Sequence, residues 1–281
     1  MDAGKVLKIL REAAIHLRAT KGRRGTVVYL DDADEVLVAG DLHGNVANLK
    51  KIVEHANLDQ NPNRHLVLQE FIHGTVRFPN GGCTSHVLLD TVAMLKCRYP
   101  HRVHLLLGNH EMAQWQGRSI AKEGYSLNDL FEIGVEHSYA EHSVEILERY
   151  DELFAAMLLG VRTPNGVFMS HSVPDPKATE KFDPRLFDEP AIPESISDRQ
   201  SSAYHLIWDR DTSETGTKLF TTKLGVKFLV NGHIAQKTGI FAPNSSRIIL
   251  DCVASPAGCL LFSAQEPLEF DDLLNGVLLF E

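Results

Sequence analysis

The sequence predicts a layered α/β protein, and three observations carry that expectation. Five short apolar runs each end on a residue able to bind a metal: Val36-Leu37-Val38-Ala39 before Gly40-Asp41-Leu42-His43-Gly44, Leu66-Val67-Leu68 before Gln69-Glu70, Val103–Leu107 before Gly108-Asn109-His110-Glu111, Val167-Phe168-Met169 before Ser170-His171, and Phe228-Leu229-Val230 before Asn231-Gly232-His233. A run of this kind, closed by Gly or a polar residue, reads as a buried strand. The stretches between several of them space apolar residues three and four apart, as amphipathic helices do. From Val226 onward strand signals dominate. Loops just past strand ends carry ligands in layered α/β proteins. Five converging loops would assemble a mixed oxygen and nitrogen donor set suited to one or two divalent cations.

In chain order, Val6, Leu7, Leu10, Ala14 and Leu17 predict a helix over 4–19, broken by Lys21-Gly22-Arg23-Arg24-Gly25. Residues 1–25 are read as an N-terminal helical extension and 26–281 as a single domain. Thr26–Leu30 and Glu35–Ala39 read as strands paired around Asp31-Asp32-Ala33-Asp34, and Asn45–Ala56 as a helix. An irregular stretch runs from His73 to Thr84, followed by a helix over Ser85–Cys97. Residues 126–159 are largely helical in pattern, most clearly over Ser143–Leu159. Residues 174–198 hold five prolines and little periodicity, the signature of a long ordered surface loop. The later strands fall at Lys227–Val230, Gly239–Ala242, Arg247–Asp251, Cys259–Ser263 and Val277–Phe280.

Composition narrows the function. A formal charge of −9 argues against a broad nucleic-acid surface while leaving room for a local phosphate pocket. No apolar stretch approaches the roughly 20 residues needed to span a bilayer, so no membrane partner is expected. Cys83, Cys97, Cys252 and Cys259 form no CxxC pair, which fits buried reduced thiols in a cytoplasmic protein. Oligomeric state is not readable.

The Asp41-x-His43 pair places a carboxylate and an imidazole on the same side of an extended backbone, with glycines on both sides allowing close approach. Asn109, at a strand end, suits either a metal ligand or the N-cap of the next helix. His110 beside it could donate a proton. His171 and His233 each follow a strand, and their joint order with the other motifs is what favours a metal centre.

Taken in that order, GDLHGN at 40–45, GNHE at 108–111, SHS at 170–172 and NGH at 231–233 resemble the calcineurin-like metallophosphoesterases, specifically the phosphoprotein phosphatase branch with its serine/threonine phosphatases and bacterial diadenosine-tetraphosphate hydrolases. The run from Tyr99 to Leu107 is also similar to what precedes GNHE in that family. The resemblance covers about residues 35–260. It implies a sandwich of two mixed β-sheets flanked by helices. It implies two divalent cations, manganese first with iron or zinc as alternatives. Asp41, His43 and Glu70 would hold one, and Glu70, Asn109, His171 and His233 the other, with Glu70 bridging. A hydroxide between the cations would attack phosphorus directly.

The second family motif, Gly-Asp-x-x-Asp-Arg, is altered to Gln69-Glu70-Phe71-Ile72-His73-Gly74. Glu70 is one methylene longer than the bridging Asp it would replace. A one-residue slide would instead put Gln69 on the metal, but a bridging position calls for anionic oxygen. His73 stands where an Asp would orient His110, and an imidazole supports an imidazolium poorly. Gly74 stands where a phosphate-binding Arg is expected. Arg77 and Arg210 are the replacements considered, Arg210 against the alternative of an ion pair with Asp209 or Asp211. Arg118 and Lys122 read as a solvated helix face. The leading function is hydrolysis of a phosphomonoester, serine/threonine-phosphatase-like. Two alternatives stay open: nucleotide or dinucleoside-polyphosphate hydrolysis, and binding of a phosphorylated ligand with little turnover.

Overall fold

Apolar residues on both faces of the central strands decide the architecture. The computed structural model describes residues 2–281. Its strands are β1 (Arg23–Arg24), β2 (Val27–Tyr29), β3 (Glu35–Asp41), β4 (Arg64–Gln69), β5 (Val103–Leu106), β6 (Ala121–Lys122), β7 (Tyr125–Ser126), β8 (Gly160–Arg162), β9 (Val167–Met169), β10 (Phe228–Asn231), β11 (Ile240–Asn244), β12 (Arg247–Leu250), β13 (Ala257–Ser263) and β14 (Val277–Phe280). Its helices are α1 (Ala3–Arg18), α2 (Val46–Ala56), α3 (His86–Arg98), α4 (Asn109–Trp115), α5 (Leu127–Tyr139), α6 (Ser143–Ala156), α7 (Pro176–Lys181), α8 (Ser202–Trp208), α9 (Glu214–Leu224) and α10 (Phe270–Asn275).

A seven-stranded sheet, ordered β1-β2-β8-β9-β10-β12-β11, packs on a five-stranded sheet, ordered β14-β13-β3-β4-β5. Val36 and Val38 of β3 join Val67, Val161, Met169, Val230 and Ile248 in the core between the sheets. Leu37 and Ala39, one residue out of phase, join the core under the helices with Leu66, Leu68 and Leu105. Strands buried on both faces carry near-continuous apolar runs, which is why these segments lack clean alternation. Within one sheet β3, β4 and β5 run parallel, and within the other β9 and β10 do. Their C-terminal ends carry the five motifs. The sheets are stitched near that edge: Leu107 N–H donates to Leu158 O at 2.9 Å and Cys252 N–H to Asp41 O at 2.9 Å.

Three sequence expectations are corrected. Strands β2 and β3 do not pair. β2 lies parallel to β8 and Leu30 N–H donates to Arg162 O, while β3, apolar on both faces, takes the centre of the other sheet. The Asp31–Asp34 turn therefore crosses between layers. The 174–198 stretch is not a plain surface loop. Pro176 and Pro184 sit in the first turn of α7 and of a 3-10 turn (Pro184–Asp188), capped by Asp175 and Asp183. Proline there needs no hydrogen-bond donor, and Phe182, Leu186, Phe187 and Ile196 are buried. Finally, α4 ends at Trp115, so Lys122 lies in the β6–β7 hairpin rather than on a helix.

The buried face of α1, including Val6, Leu10 and Leu17, packs on α3 and α6. Lys96 of α3 anchors that junction. It is wholly buried, and its ammonium donates to Thr20 Oγ1 at 2.7 Å, Pro100 O at 2.7 Å and Val103 O at 2.8 Å. Burial pulls the amine down to about 7. Replacing it by Met strands buried acceptors, so Lys96→Met should destabilise the fold by about 2–4 kcal/mol. Urea unfolding checks this, and an unchanged midpoint would show the three bonds to be dispensable.

Candidate metal and phosphoester site

The strand ends do not simply stop; they turn sharply. His43, Glu70, His73 and His233 adopt φ of 39, 52, 59 and 67°, the left-handed region that side chains disfavour. Such conformations cost about 1–3 kcal/mol each and persist where surrounding structure imposes them. Here each turn aims a side chain across the edge shared by the two sheets. Two glycines make the approach possible. A Cβ at Gly108 would lie 2.6 Å from the Glu70 carboxyl, and one at Gly232 would lie 2.1 Å from Asp41 Oδ1.

The centre of the site is His171 Nε2. Glu70 Oε2 lies 2.7 Å away, Asn109 Oδ1 3.1 Å and His233 Nδ1 3.1 Å. Hydrogen bonds on the far sides settle which nitrogens carry hydrogen. The Gln69 amide donates through Nε2 to Ala39 O, leaving Oε1 to accept from His171 Nδ1 at 3.0 Å. His233 Nε2 faces Trp208 O at 3.1 Å, and His43 Nδ1 faces Ile72 O at 2.8 Å. Carbonyl oxygens only accept. So in the neutral rings His171 Nε2, His233 Nδ1 and His43 Nε2 are the nitrogens left without hydrogen. Burial keeps the His171 and His233 rings well below the usual imidazole range, in the neutral form that ligates. Glu70 Oε2 has no hydrogen-bond donor of its own. Four buried acceptors facing one point without a proton fit a divalent cation, with outer partners that fix each ring as metal ligands require.

Glu70 belongs to two such groups, one with His171 and His233, the other with His43 and His110. Glu70 is thus the residue common to both groups, while Gln69 Oε1 faces His171 Nδ1. Asp41 stands slightly apart: both its oxygens accept from His233 N–H, at 3.0 and 2.9 Å, and it joins neither group. Burial, then Glu70, push the Asp41 carboxyl well above the usual carboxylate range. Burial likewise raises Glu70. Asn109 opens α4 as its first helical residue while Gly108 is the N-cap, so the capping alternative does not hold.

His73 Nδ1 lies 2.9 Å from His110 Nδ1, and burial brings His73 down to about 4. At Gly74 a Cβ would lie 2.4 Å from His43 O, so no arginine fits there. Arg77 turns back on itself, its Nη1 donating to Gly74 O at 2.8 Å, and lines a cleft of about 380 Å³ beside His73. Arg210 donates to His233 O at 2.5 Å and is exposed at the rim of the site. The ion-pair alternative for Arg210 is not seen, because Asp209 accepts from Asp175 N–H and faces His205, while Asp211 accepts from Ser213. Arg118 is not simply solvated: its guanidinium lies over the Tyr204 and Trp208 rings, at 5.1 and 4.4 Å.

Sequence reasoning gave no role to Glu111 or Gln114, and considered Gln69 only as an alternative metal ligand. Glu111 is fully buried and its Oε1 accepts from Phe71 and Ile72 N–H, holding the turn that carries Glu70. Burial, then the charge of Glu70, push Glu111 well above the usual range. Gln114 stands one turn beyond His110 on α4, a spacing visible in the chain.

Removing the outer partner should loosen the site. Gln69→Leu frees His171 to turn, and divalent affinity should fall about 10–100-fold, measured by calorimetric titration; unchanged affinity would refute the orienting role. Burial raises the Asp41 carboxyl, so a cation that recruits Asp41 displaces a proton. Binding should therefore release protons, and affinity should climb as pH rises from 6 to 8. Calorimetry in buffers of different ionisation heat reads that release, and none at pH 6.5 would contradict it.

A yeast protein serine/threonine phosphatase with similarity to human phosphatase PP5 superposes with a TM-score of 0.71 at 15% identity, covering 99% of this chain and 89% of that one. A cold-active protein-tyrosine phosphatase of a psychrophilic Shewanella species gives 0.58 at 13% identity, over 93% and 84%. At such identities they show a shared fold. No curated protein matches by sequence. The model of the calcineurin-like phosphoesterases matches residues 35–237, a span that holds all five strand-end motifs, and the chain belongs to that family.

Proposed function

We propose that the protein hydrolyses a phosphate monoester of the phosphoserine or phosphothreonine kind by direct attack of water on phosphorus. The observation that carries this reading is the proton-free acceptor cluster around His171 Nε2, set beside a hydrogen-bonded histidine and an exposed guanidinium. Glu70, Asn109, His171 and His233 would hold one cation. Asp41, His43 and Glu70 would hold a second, Asp41 shifting off the His233 amide to do so. Manganese, the metal the family resemblance puts first, fits these donors, as iron and zinc also do. When bound, the cations would offset phosphoryl charge and lower the pKa of the attacking water.

The chain's own residues do the rest. Arg210 offers the planar donors that match phosphoryl oxygens. Arg77 donates to Gly74 O and lines the neighbouring cleft with Lys122 and Glu123, where it offers a second guanidinium for a phosphoryl group. His110 faces the site from the start of α4, and an incoming phosphoryl dianion favours the protonated ring. The cleft beside His73, walled by Leu127, Leu130 and the exposed Tyr125, gives the departing alcohol and its attached chain a place to lie. The exposed Tyr125 ring in that cleft also suits a nucleoside polyphosphate, a second reading that competing nucleotides would reveal.

Purified protein supplied with Mn²⁺ should hydrolyse p-nitrophenyl phosphate, and Asp41→Asn should lower kcat/KM by at least about 100-fold. Absence of turnover with every divalent cation, in protein that is folded, would favour a phosphoryl-ligand-binding relative instead.

A further inference from the structure

Where a carboxylate would ordinarily steady a proton-donating histidine, this chain has an imidazole, and that imidazole is itself held. We propose that Gln114 and Glu132 are positioning residues for His110, completing a one-way hydrogen-bond chain that runs through His73. The proposal rests on the hydrolase reading.

The direction of the chain is settled from its outer end. The Glu132 carboxylate, on α5 and exposed, accepts and does not donate. The Gln114 amide must therefore turn Nε2–H toward Glu132 Oε1, at 3.0 Å. Its Oε1 then faces His73 Nε2 at 3.1 Å, and that nitrogen must carry hydrogen. His73 Nδ1 is left as a lone pair 2.9 Å from His110 Nδ1, which must donate to it. Every donor in the series points away from the site and toward the anion. Bonds aligned in this way polarise one another.

The geometry leaves little freedom. His73 is six per cent exposed and held at φ 59°, with the Phe131 ring edge-on at 6.0 Å. His110 and Gln114 stand one helical turn apart on α4 with the His73 ring bridging them. With Nδ1–H committed outward, Nε2 is the one ring nitrogen of His110 that can serve a substrate; burial favours the neutral ring at rest, and the phosphoryl dianion, on arriving, favours the imidazolium that carries the proton on Nε2. In the reaction the water oxygen bonds to phosphorus as the P–O bond to the alcohol breaks. The electron pair of that bond goes to the departing oxygen, which takes the proton from His110 Nε2. One hydrogen of the water stays on the phosphate, and the other restores His110 through solvent.

A donor of this kind matters most when the departing oxygen is strongly basic, which separates positioning from mere structural support. The test compares phenyl phosphate, a poor leaving group, with p-nitrophenyl phosphate, a good one, in protein loaded with Mn²⁺. Gln114→Met cuts the chain at nearly constant volume, and its kcat should fall about tenfold further on phenyl than on p-nitrophenyl phosphate, with KM little changed. The exchange of Gln114→Glu with Glu132→Gln keeps an acceptor on His73 and should restore the ratio. Equal losses on both esters, no loss on either, or failure of the exchange to restore the ratio would each overturn the proposal. A wild-type protein inert to both esters would overturn the hydrolase reading. Nitrogen-15 histidine spectra then judge the chain alone: hydrogen on His73 Nε2 and His110 Nδ1 supports it, and the opposite tautomers overturn it.

Discussion

Buried lone pairs that face one another without a proton between them are the constraint on which the rest of this molecule depends. Glu70, Asn109, His171 and His233 come from four different loops, yet their acceptor atoms meet around one nitrogen. Left alone, such a cluster is repulsive and poorly solvated. The free energy that holds it together comes from outside it, from two sheets whose apolar strands are packed on both faces. A divalent cation would turn the same crowding into attraction. In that sense the fold is a device for holding acceptors where they would not gather by themselves.

The means of holding them is backbone shape as much as packing. The turns after β3, β4 and β10 enter the left-handed region within a residue or two, at His43, Glu70 and His233. Glu111 stabilises one such turn by accepting two amide hydrogens from Phe71 and Ile72, and the His233 amide is fastened to Asp41. These contacts are internal to the edge where the sheets meet. They explain why buried carboxyls remain here despite the energetic penalty of burial.

The altered second motif makes physical sense within this frame. A longer Glu at position 70 reaches the junction from a backbone that has already turned. Gly74 sits so close to the His43 carbonyl that a side chain is excluded, while Arg210 brings a guanidinium to the His233 carbonyl. His73 fills the space beside His110 with a neutral ring whose far nitrogen is engaged by Gln114. The substitutions are thus mutually consistent, each accommodated by a neighbour.

Much of this was legible in the chain. Strand positions could be read because two-faced burial writes unbroken apolar runs, and the donor residues could be read because each sits at the end of such a run. Their order along the chain was enough to suggest the family. The partners of these residues were not legible. That β2 leaves β3 for the other sheet depends on where β8 offers an edge. That prolines in 174–198 start helical turns depends on aspartates one residue before them and on a core waiting for Phe182 and Ile196. Which imidazole nitrogen is bare depends on the carbonyls of Ile72 and Trp208 and on the Gln69 amide, contacts that join residues far apart in sequence. Composition and periodicity determined which groups could reach a strand end; only the tertiary packing of two sheets decided how those groups are oriented and protonated, because orientation and protonation are set by neighbours the sequence does not place side by side.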